Sequence, residues 1–532
     1  MKKLMLTALA AAGCMSGGPA PQPIAATSQA VTAAPSQPGE LRNLPRFRTV
    51  VPGSTGGGGS TGDGGTSTAW QALKNQPTFF AGISLLLTDG TVMVQDAGTA
   101  NWWKLTPDAK GSYLNGTWSQ RATMPEGYAP LYFASAVLPD GRVIVEGGEY
   151  QALQPAWTTQ GAIYDPAKDQ WTLIAPPAGW STIGDAQSAV LADGRFLLAN
   201  CCTTESAVLD SKTLTWKPFG TGKADINDEE GWTLLTSGKL LTVDANNVKS
   251  PRLSEIFSPA TGAWTSAGDT GVMLADLSAD GGGSHELGPL LLRPDGTVFA
   301  AGATGHSAVY HQWTGKWTAG PDFPIIAGEG QLDVADGPAA LLPNGHVMVV
   351  ASAGVFNSPA HVFEFDGTTL TEIGAPPGAA FDSSYNVNLL VLPTGEILYT
   401  DFSNDVEIYA PAAGAEDCWA PEIESELETL APGKSYRIDG VRLNGLSQAV
   451  SYGDDVQAAT NYPLVRITNR NSGHVVYART HGHSSMGIGR QTRSHTFFDV
   501  PATLEPGESE LVVVANGLAS APVDVEVAGA TE

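Results

Sequence analysis

Two histidines one residue apart, His481 and His483, lie in the glycine-containing stretch YARTHGHSSMGIGR near the end of the chain. Neutral imidazole binds transition metals, and histidine is also the most frequent general base. Residues two apart in an extended segment share one face, so both rings can serve one site. The spacing leaves three interpretations open: a metal site, a catalytic base, and a polar loop whose histidines bond to the backbone.

The elements that position this loop follow from composition. The chain has 532 residues, of which 42% are hydrophobic and only 15% charged, with 62 glycines and 13 tryptophans. That length favours more than one domain, and the mixture favours many short strands joined by tight turns. The net charge of −26 repels phosphate backbones, so we expect no nucleic-acid partner.

The N-terminus has the pattern of an export signal. Lys2 and Lys3 precede a short apolar run that ends at Ala11-Ala12-Gly13-Cys14. Small residues before a cysteine resemble a bacterial lipoprotein signal over residues 1–14, with Cys14 as the lipidation site. Ordinary secretion is the alternative. Residues 15–67 are rich in Gly, Ser and Pro and predict a linker. We therefore expect an exported protein at the cell surface or outer membrane, or secreted, that touches a membrane only through this anchor.

An internal repeat predicts the fold of residues 68–420. Seven hydrophobic hairpins recur about every fifty residues, and their turn glycines are Gly90, Gly141, Gly194, Gly238, Gly296, Gly345 and Gly395. A period near fifty is typical of kelch repeats. An aromatic strand and usually a tryptophan follow most hairpins, which makes each repeat a four-stranded sheet of a seven-bladed β-propeller. The last repeat lacks its closing strand, and STAWQALKNQP around Trp70 is predicted to supply it.

Residues 421–532 show a different pattern. Segments such as SYRIDGVRLNG and SELVVVANGLASAPVDVEV alternate as the strands of a small antiparallel sandwich do. The predicted fold class is therefore all-β, a propeller followed by an immunoglobulin-like β-sandwich.

This arrangement resembles the galactose oxidase and glyoxal oxidase family of copper-radical enzymes. Tyr132 in YFASAVLPDGR stands where that family has its radical tyrosine, and Tyr150 stands where it has a stacking tryptophan. The Tyr-His pair that supplies two copper ligands in the family has Tyr385-Asn386 as its counterpart. Phe80 occupies the position of the cross-linking cysteine, so no thioether can form.

The resemblance also implies a role for the histidine loop. His483 precedes Arg490 by seven residues, as in the pore loop of the family. The resemblance therefore implies that loop 478–490 enters or caps the axial channel and brings His483 to Tyr132 and Tyr385, as catalytic residues and possible copper ligands. Loss of the second histidine weakens such a site, so no cofactor is firmly expected.

The composition and the resemblance lead to three functional hypotheses. The first is a propeller that binds a glycan or a surface protein, with Tyr150, Asn386, His481 and the tryptophans Trp102 and Trp103 as ligand-binding candidates. The second is a copper oxidase or other metalloenzyme, and the third is a structural surface protein, so enzymatic activity is left open.

Two further motifs have ordinary structural interpretations. Cys201 and Cys202 are predicted to be two thiols packed in a strand rather than a bridge between neighbours, whereas the state of Cys418 is left open. The acidic run DINDEEG at 225–231 lacks the spacing of a calcium loop and is predicted to be a solvated turn.

Overall fold

The computed structural model describes residues 44–45, 47–50, 69–277, 284–355, 357–412, 414–454 and 456–529. These residues are nearly all strand and turn. The helices among them are short 3-10 turns at Pro377–Phe381, Ser384–Asn386 and Asp417–Trp419. Within the described part of the chain, no helix has the length and hydropathy needed to cross a bilayer. The predicted lipidation site Cys14 lies outside the described residues.

Seven antiparallel sheets, here numbered 1 to 7, follow one another in the described residues. Six of them have four strands, and sheet 6 has four strands and a fifth that the C-terminal part of the chain adds. Every residue of each first strand is buried, because that strand lies nearest the centre of the molecule. From the inside outward, the strands are as follows: Ala81–Leu86, Val92–Asp96, Trp102–Thr106 and Thr117–Gln120 in sheet 1; Ala134–Val137, Val143–Glu146, Gly161–Asp165 and Gln170–Ile174 in sheet 2; Ser188–Val190, Phe196–Ala199, Ser206–Asp210 and Thr215–Pro218 in sheet 3; Thr233–Leu234, Leu240–Val243, Leu253–Ser258 and Ala263–Asp269 in sheet 4; Leu287–Leu292, Thr297–Gly302, Ser307–His311 and Lys316–Ala319 in sheet 5; Ala339–Leu341, Val347–Ala351, His361–Phe365 and Leu370–Ile373 in sheet 6; and Asn388–Val391, Ile397–Thr400, Glu407–Tyr409 and Trp70–Ala72 in sheet 7.

Two smaller sheets accompany these seven. One joins Pro130–Leu131, Tyr150–Gln151 and Gln154–Pro155, and the other joins Ile325–Ile326 to Gly330–Gln331.

Each predicted hairpin turn connects the first two strands of one sheet. All seven turn glycines have a positive φ, for example +73° at Gly90 and +84° at Gly395, a conformation that a side chain disfavours. The hairpins predicted from the sequence are confirmed. We call the end of the molecule that carries these turns the turn end, and the opposite end, where the chain enters the first strands, the loop end.

The first strands are in contact between sheets 1 and 2, 2 and 3, 4 and 5, 5 and 6, and 6 and 7, and the first strand of sheet 7 contacts that of sheet 1. The N-terminal strand closes sheet 7, because Trp70 pairs with Tyr409 in its outer position. The Trp70 indole also donates a hydrogen bond to the carbonyl of Gly374 and packs edge-on against Tyr399, with ring centroids 5.5 Å apart. The predicted closure by the first strand is confirmed.

The C-terminal unit is a nine-stranded sheet with its own apolar core. Eight strands form one hydrogen-bonded path, and Leu518–Ala519 pairs with Gly507–Ala515 beside that path. This region is all-β as predicted, and its immunoglobulin-like assignment stays a prediction. Its strands are antiparallel except where Thr429–Leu430 runs parallel to Val523–Val527. The strands are Glu422–Ile423, Thr429–Leu430, Ser435–Val441, Leu464–Asn469, Val475–His481, Arg493–Asp499, Gly507–Ala515, Leu518–Ala519 and Val523–Val527.

An axial segment, here meaning the described residues 446–454 and 456–462, leaves this unit and runs along the inside of the ring. Its strand Val450–Ser451 pairs antiparallel with the first strand of sheet 6. At the loop end, the Tyr452 hydroxyl donates a 2.6 Å hydrogen bond to the carbonyl of Tyr385. On the way back, Tyr462 donates to the carbonyl of Leu86 near the first hairpin turn. The segment therefore fills the axis from one end to the other.

Candidate functional site at the loop end

An aromatic cluster lies at the loop end where sheets 1, 2 and 7 meet. Tyr132, Tyr150, Tyr385 and Phe402 form one buried apolar group. The Tyr132 ring packs edge-on against Tyr150 at 6.0 Å and against Phe402 at 6.3 Å. The structure thus brings together three of the residues that the sequence singled out, and it adds Phe402, which the sequence analysis missed.

The backbone at this cluster is strained. Tyr132 and Phe402 adopt left-handed φ angles of +51° and +58°. Residues other than glycine pay roughly 1–3 kcal/mol for such conformations, and they concentrate at functional sites. Tyr132 precedes the first strand of sheet 2, and Phe402 follows the second strand of sheet 7, so these backbone conformations set the directions in which the two rings meet.

Asn386 adds an unsatisfied polar atom beside the aromatic rings. Its side chain is buried, and its Oδ1 has no hydrogen-bond partner among the described residues. The neighbouring Asn388 is buried with an Oδ1 in the same state. A buried acceptor without a donor costs about 1–3 kcal/mol, so each of these amides destabilises the fold unless a donor reaches it.

Carboxylates occupy the other half of the loop end. Glu229, Glu286 and Asp336 each precede the first strand of sheet 4, 5 or 6, and Asp454 of the axial segment lies close enough to Glu229 for its charge to act on that group. Burial raises the pKa of Glu229 well above its usual range, and the charge of Glu286 adds to the effect. The end of the axis is therefore aromatic on one side and acidic on the other.

His483 does not join this site. Its N–H donates to the carbonyl of Pro139 (3.0 Å), its Nδ1 lies 2.8 Å from the Thr496 hydroxyl, and its ring stacks on Tyr462. Pro139 lies at the turn end of the first hairpin of sheet 2, whereas Tyr132 precedes that hairpin at the loop end. Seven residues of extended chain, about 20 Å, separate them. The predicted approach of His483 to Tyr132 and Tyr385 is wrong.

Loop 478–490 instead lies across the turn end. The Met486 N–H and the Ser485 hydroxyl both donate to the carbonyl of Ala192, and Arg490 donates to that of Pro294 at 3.0 Å. The loop therefore caps the ring at its hairpin turns, one of the two placements predicted, and the axial segment enters the channel in its place. The seven-residue spacing from His483 to Arg490 therefore does not predict which loop enters the axial channel.

The remaining ligand-binding candidates are also located away from the cluster. His481 lies 3.1 Å from a carboxylate oxygen of Asp499, in the C-terminal unit. Trp102 is fully buried against Phe133, so it has no face to offer a glycan. Trp103 stacks on Phe79 with ring centroids 4.8 Å apart. The strand buries the ring of Trp102 and leaves that of Trp103 half-buried, so the two tryptophans do not form an exposed pair.

The donor atoms of the cluster do not fit the copper site that the resemblance implies. The cluster offers the phenols of Tyr132 and Tyr385 and the amide of Asn386. Copper(II) prefers imidazole nitrogen, and neutral phenols and amides are weak ligands. Burial lowers the pKa of His483 to about 3 and keeps its ring neutral, but the ring lies at the other end of the axis.

Two sequence motifs differ from their predicted states. Cys201 and Cys202 are joined in a disulfide, so the prediction of two thiols is wrong. The acidic run is not solvated, since Asp225 and Glu230 are buried.

The buried carboxylates of the acidic run surround a lysine. Lys223 Nζ lies 2.7 Å from Glu255, 3.1 Å from Glu230 and 3.8 Å from Asp244, with all four side chains nearly inaccessible to solvent. Burial raises the pKa of Asp244 to about 7. The buried ammonium group of Lys223 thus explains why the sequence is acidic here.

Part of the predicted linker packs on the candidate site. Residues 44, 45 and 47–50, here called the strap, contact the aromatic cluster through Leu44 and Phe47. The strap was not predicted because residues 15–67 were interpreted as a single linker on the basis of their average composition. The stretch LPRFRTV departs from that composition in its leucine, phenylalanine and two arginines, which is the signal that was available.

Comparisons with known proteins bear on the fold. No protein-family model matches the chain. Over 90 residues the chain is 33% identical to the Kelch-like protein terF of Aspergillus terreus, and the match covers 16% of this chain and 19% of that protein. The chain thus matches about a fifth of the length of this curated relative. Together with the repeated four-stranded sheets, the match supports a kelch-like β-propeller.

Solved structures similar to the chain include two proteins of low sequence identity. Virginiamycin B lyase from Staphylococcus aureus is 10% identical, with 64% of this chain and 98% of that chain covered and a TM-score of 0.41. YCF48 bound to D1 peptide is 13% identical, with 65% and 97% covered and a TM-score of 0.42.

Proposed function

We propose that the protein is an exported binding protein whose propeller holds a ligand at the loop end. The observation that carries the proposal is the aromatic cluster, which combines strained tyrosine and phenylalanine residues with the unsatisfied amide of Asn386. A purely structural ring gains nothing from such features, because each destabilises the fold unless a ligand uses it.

The two ends of the ring differ in what covers them. The C-terminal unit packs on the turn end through loop 478–490, so ligands approach from the loop end. Partly exposed apolar side chains, namely Phe80, Leu153 and Val355, border the cluster there. Ligands of the proposed class, a glycan or a segment of a surface protein, present the ring faces, hydroxyls or cations that such a surface binds.

Export and anchoring complete the proposal. The signal pattern at residues 1–14 supports lipidation at Cys14, which would hold the binding site at the cell surface. Changing Cys14 to Ala is expected to release the protein from the membrane fraction. Unchanged fractionation of the variant would favour ordinary secretion instead.

The binding proposal is tested by probing immobilised panels of oligosaccharides and of peptides with the labelled full chain. Phe80→Ala and Val355→Ser are expected to abolish the signals that the wild type gives. The matched control is Trp313→Ala, because Trp313 is an exposed aromatic residue near the turn end. Equal binding by all the variants would show that the loop end is not the site.

A further inference from the structure

The strap occupies the candidate site as a ligand would. The ring of Phe47 lies 5.1 Å from Phe80 and 6.4 Å from Phe402, measured between ring centroids. The carbonyl of Leu44 accepts a hydrogen bond of 3.4 Å from the hydroxyl of Tyr385. An aromatic side chain from outside the ring therefore completes the aromatic cluster.

The strap's backbone is also bound along sheet 7. Arg48 forms a parallel bridge with Ser403. The Val50 N–H donates to Asn404 Oδ1 at 2.6 Å, and Asn404 Nδ2 donates back to the Val50 carbonyl at 3.2 Å. Extended peptides are recognised in this way, with main-chain bonds for affinity and side-chain pockets for specificity.

The pocket for Arg48 is built from buried carboxylates. Its Nη2 lies 2.6 Å from Oδ2 of Asp401, whose side chain is inaccessible to solvent, and its guanidinium lies over the ring of Phe381. Asp382 and Glu407 are buried next to Asp401. Burial, followed by the charge of Asp401, raises the pKa of Asp382 to about 9. A carboxyl group with a pKa of about 9 is neutral near pH 7, so Arg48 pairs with the charge of Asp401 alone.

A glycine leaves the space that the guanidinium fills. A Cβ added at Gly378 would lie 2.5 Å from Nη2 of Arg48 and 3.1 Å from Oδ2 of Asp401. Gly378 does not have a positive φ, so the position needs a small residue rather than an unusual backbone.

We propose that the loop-end site recognises extended peptides in which an aromatic residue is followed by arginine, and that the strap is an internal occupant that competes with them. This inference deepens the proposed function and rests on it. An external peptide of this class displaces Phe47 from the aromatic cluster and Arg48 from Asp401.

The connection of the strap sets the strength of the competition. Eighteen residues separate Val50 from Ala69, the start of the ring. Short connections give effective concentrations of the order of 1 mM. If the free peptide binds with a Kd of about 100 μM, the strap occupies about nine sites in ten, so it weakens external peptides about tenfold.

The test measures anisotropy of a labelled peptide, acetyl-LPRFRTV-amide, with full-length protein. The double variant Phe47→Ala/Arg48→Ala is expected to bind it at least tenfold more tightly than the wild type. The peptide LPRAATV is expected not to bind. The matched control, Phe497→Ala/Arg437→Ala, removes a cross-strand pair on the C-terminal sheet and is expected to behave as the wild type.

Equal peptide binding by the wild type and the strap variant would overturn the inference, as would no binding by a strap variant whose circular dichroism and melting match the wild type. If the strap variant melts at a lower temperature than the wild type, a second protein is used in its place. This protein carries a protease site within residues 55–60, at which the chain is cut. The strap is then expected to dissociate on dilution and free the site, and a cut chain that still excludes the peptide overturns the inference.

The outcomes separate this inference from the proposed function. In one outcome, the strap variant binds the peptide, Asp401→Asn abolishes that binding, and the oligosaccharide and peptide panels give no signal. This result supports occupation of the site by the strap and excludes the external ligand of the proposed function. In the other outcome, the wild type and the strap variant give panel signals of equal strength. This result agrees with the proposed function and contradicts competition by the strap.

Discussion

The environment of His483 predicts a specific loss of stability in acid. The ring is buried, bonded to the Thr496 hydroxyl and stacked on Tyr462, and burial lowers its pKa to about 3. Its Nε2 has no hydrogen-bond partner among the described residues, so a second proton would remain unsatisfied. We predict that His483 is neutral in the folded protein throughout the range in which it titrates when unfolded.

The sign and the size of this change in stability follow from the pKa of His483 in the folded and in the unfolded protein. A histidine in the unfolded chain has a pKa of about 6.5. Because the folded pKa is lower, the unfolded state binds the proton first, and stability falls as the pH drops below about 6.5 towards 3. At pH 5 the difference is about 1.5 units, and each unit corresponds to about 1.4 kcal/mol, so His483 should remove about 2 kcal/mol between pH 7.5 and pH 5.

Urea unfolding at several pH values between 7.5 and 5 measures this loss. His483→Gln removes the titrating group, so its free energy of unfolding should fall by about 2 kcal/mol less than that of the wild type over this interval. His474→Gln, which alters an exposed histidine of the same unit, is the control and should follow the wild type. Parallel pH profiles for the wild type and His483→Gln would refute the reasoning.

Three further predictions concern the ring. Lys223→Met leaves Glu230 without its cation and should cost about 3–5 kcal/mol at pH 7.5, with recovery in acid, as measured by urea unfolding. Burial raises the pKa of Glu146 well above its usual range, and neither of its oxygens has a hydrogen-bond partner in the described part of the chain. Its ionisation therefore destabilises the fold as the pH rises above about 4.5, so Glu146→Gln should raise the melting temperature at pH 8 and lose this advantage near pH 4. Trp70→Ala should lower global stability by about 3 kcal/mol, whereas Trp216→Ala, on an outer strand that joins its own repeat and does not close the ring, should cost less; equal effects would contradict the closure of the ring by the first strand.

Local pattern predicted the elements well. The Asp-Gly and Asn-Gly turns fix where each hairpin reverses, and the missing last strand left Trp70 as its replacement. The turns depend on residues that are close in sequence. The closing strand was found because the last repeat has one strand fewer than the others. Tyr132, Tyr150 and Tyr385 come together because the repeat places each of them before or after an inner strand.

The parts that failed depend on long-range choices. Either loop of the C-terminal unit has the length to enter the axis, and residues 446–462 enter because Val450 and Ser451 complete a ladder with sheet 6. No spacing between His483 and Arg490 encodes that preference. The strap was missed for a different reason, since the docking of Phe47 and Arg48 depends on a pocket whose acids are contributed more than three hundred residues later.

The axial segment has a consequence for how the chain matures. Trp70 cannot pair until Tyr409 has been synthesised, and the axis stays unfilled until residues 446–462 arrive. The ring is therefore unfinished for most of the time that the ribosome spends on it, and contacts of such wide sequence separation form slowly. Until then the inner strands expose apolar surface and open edges that invite aggregation. If the chain is exported, as we propose, late completion would keep it unfolded long enough to pass through a translocation channel.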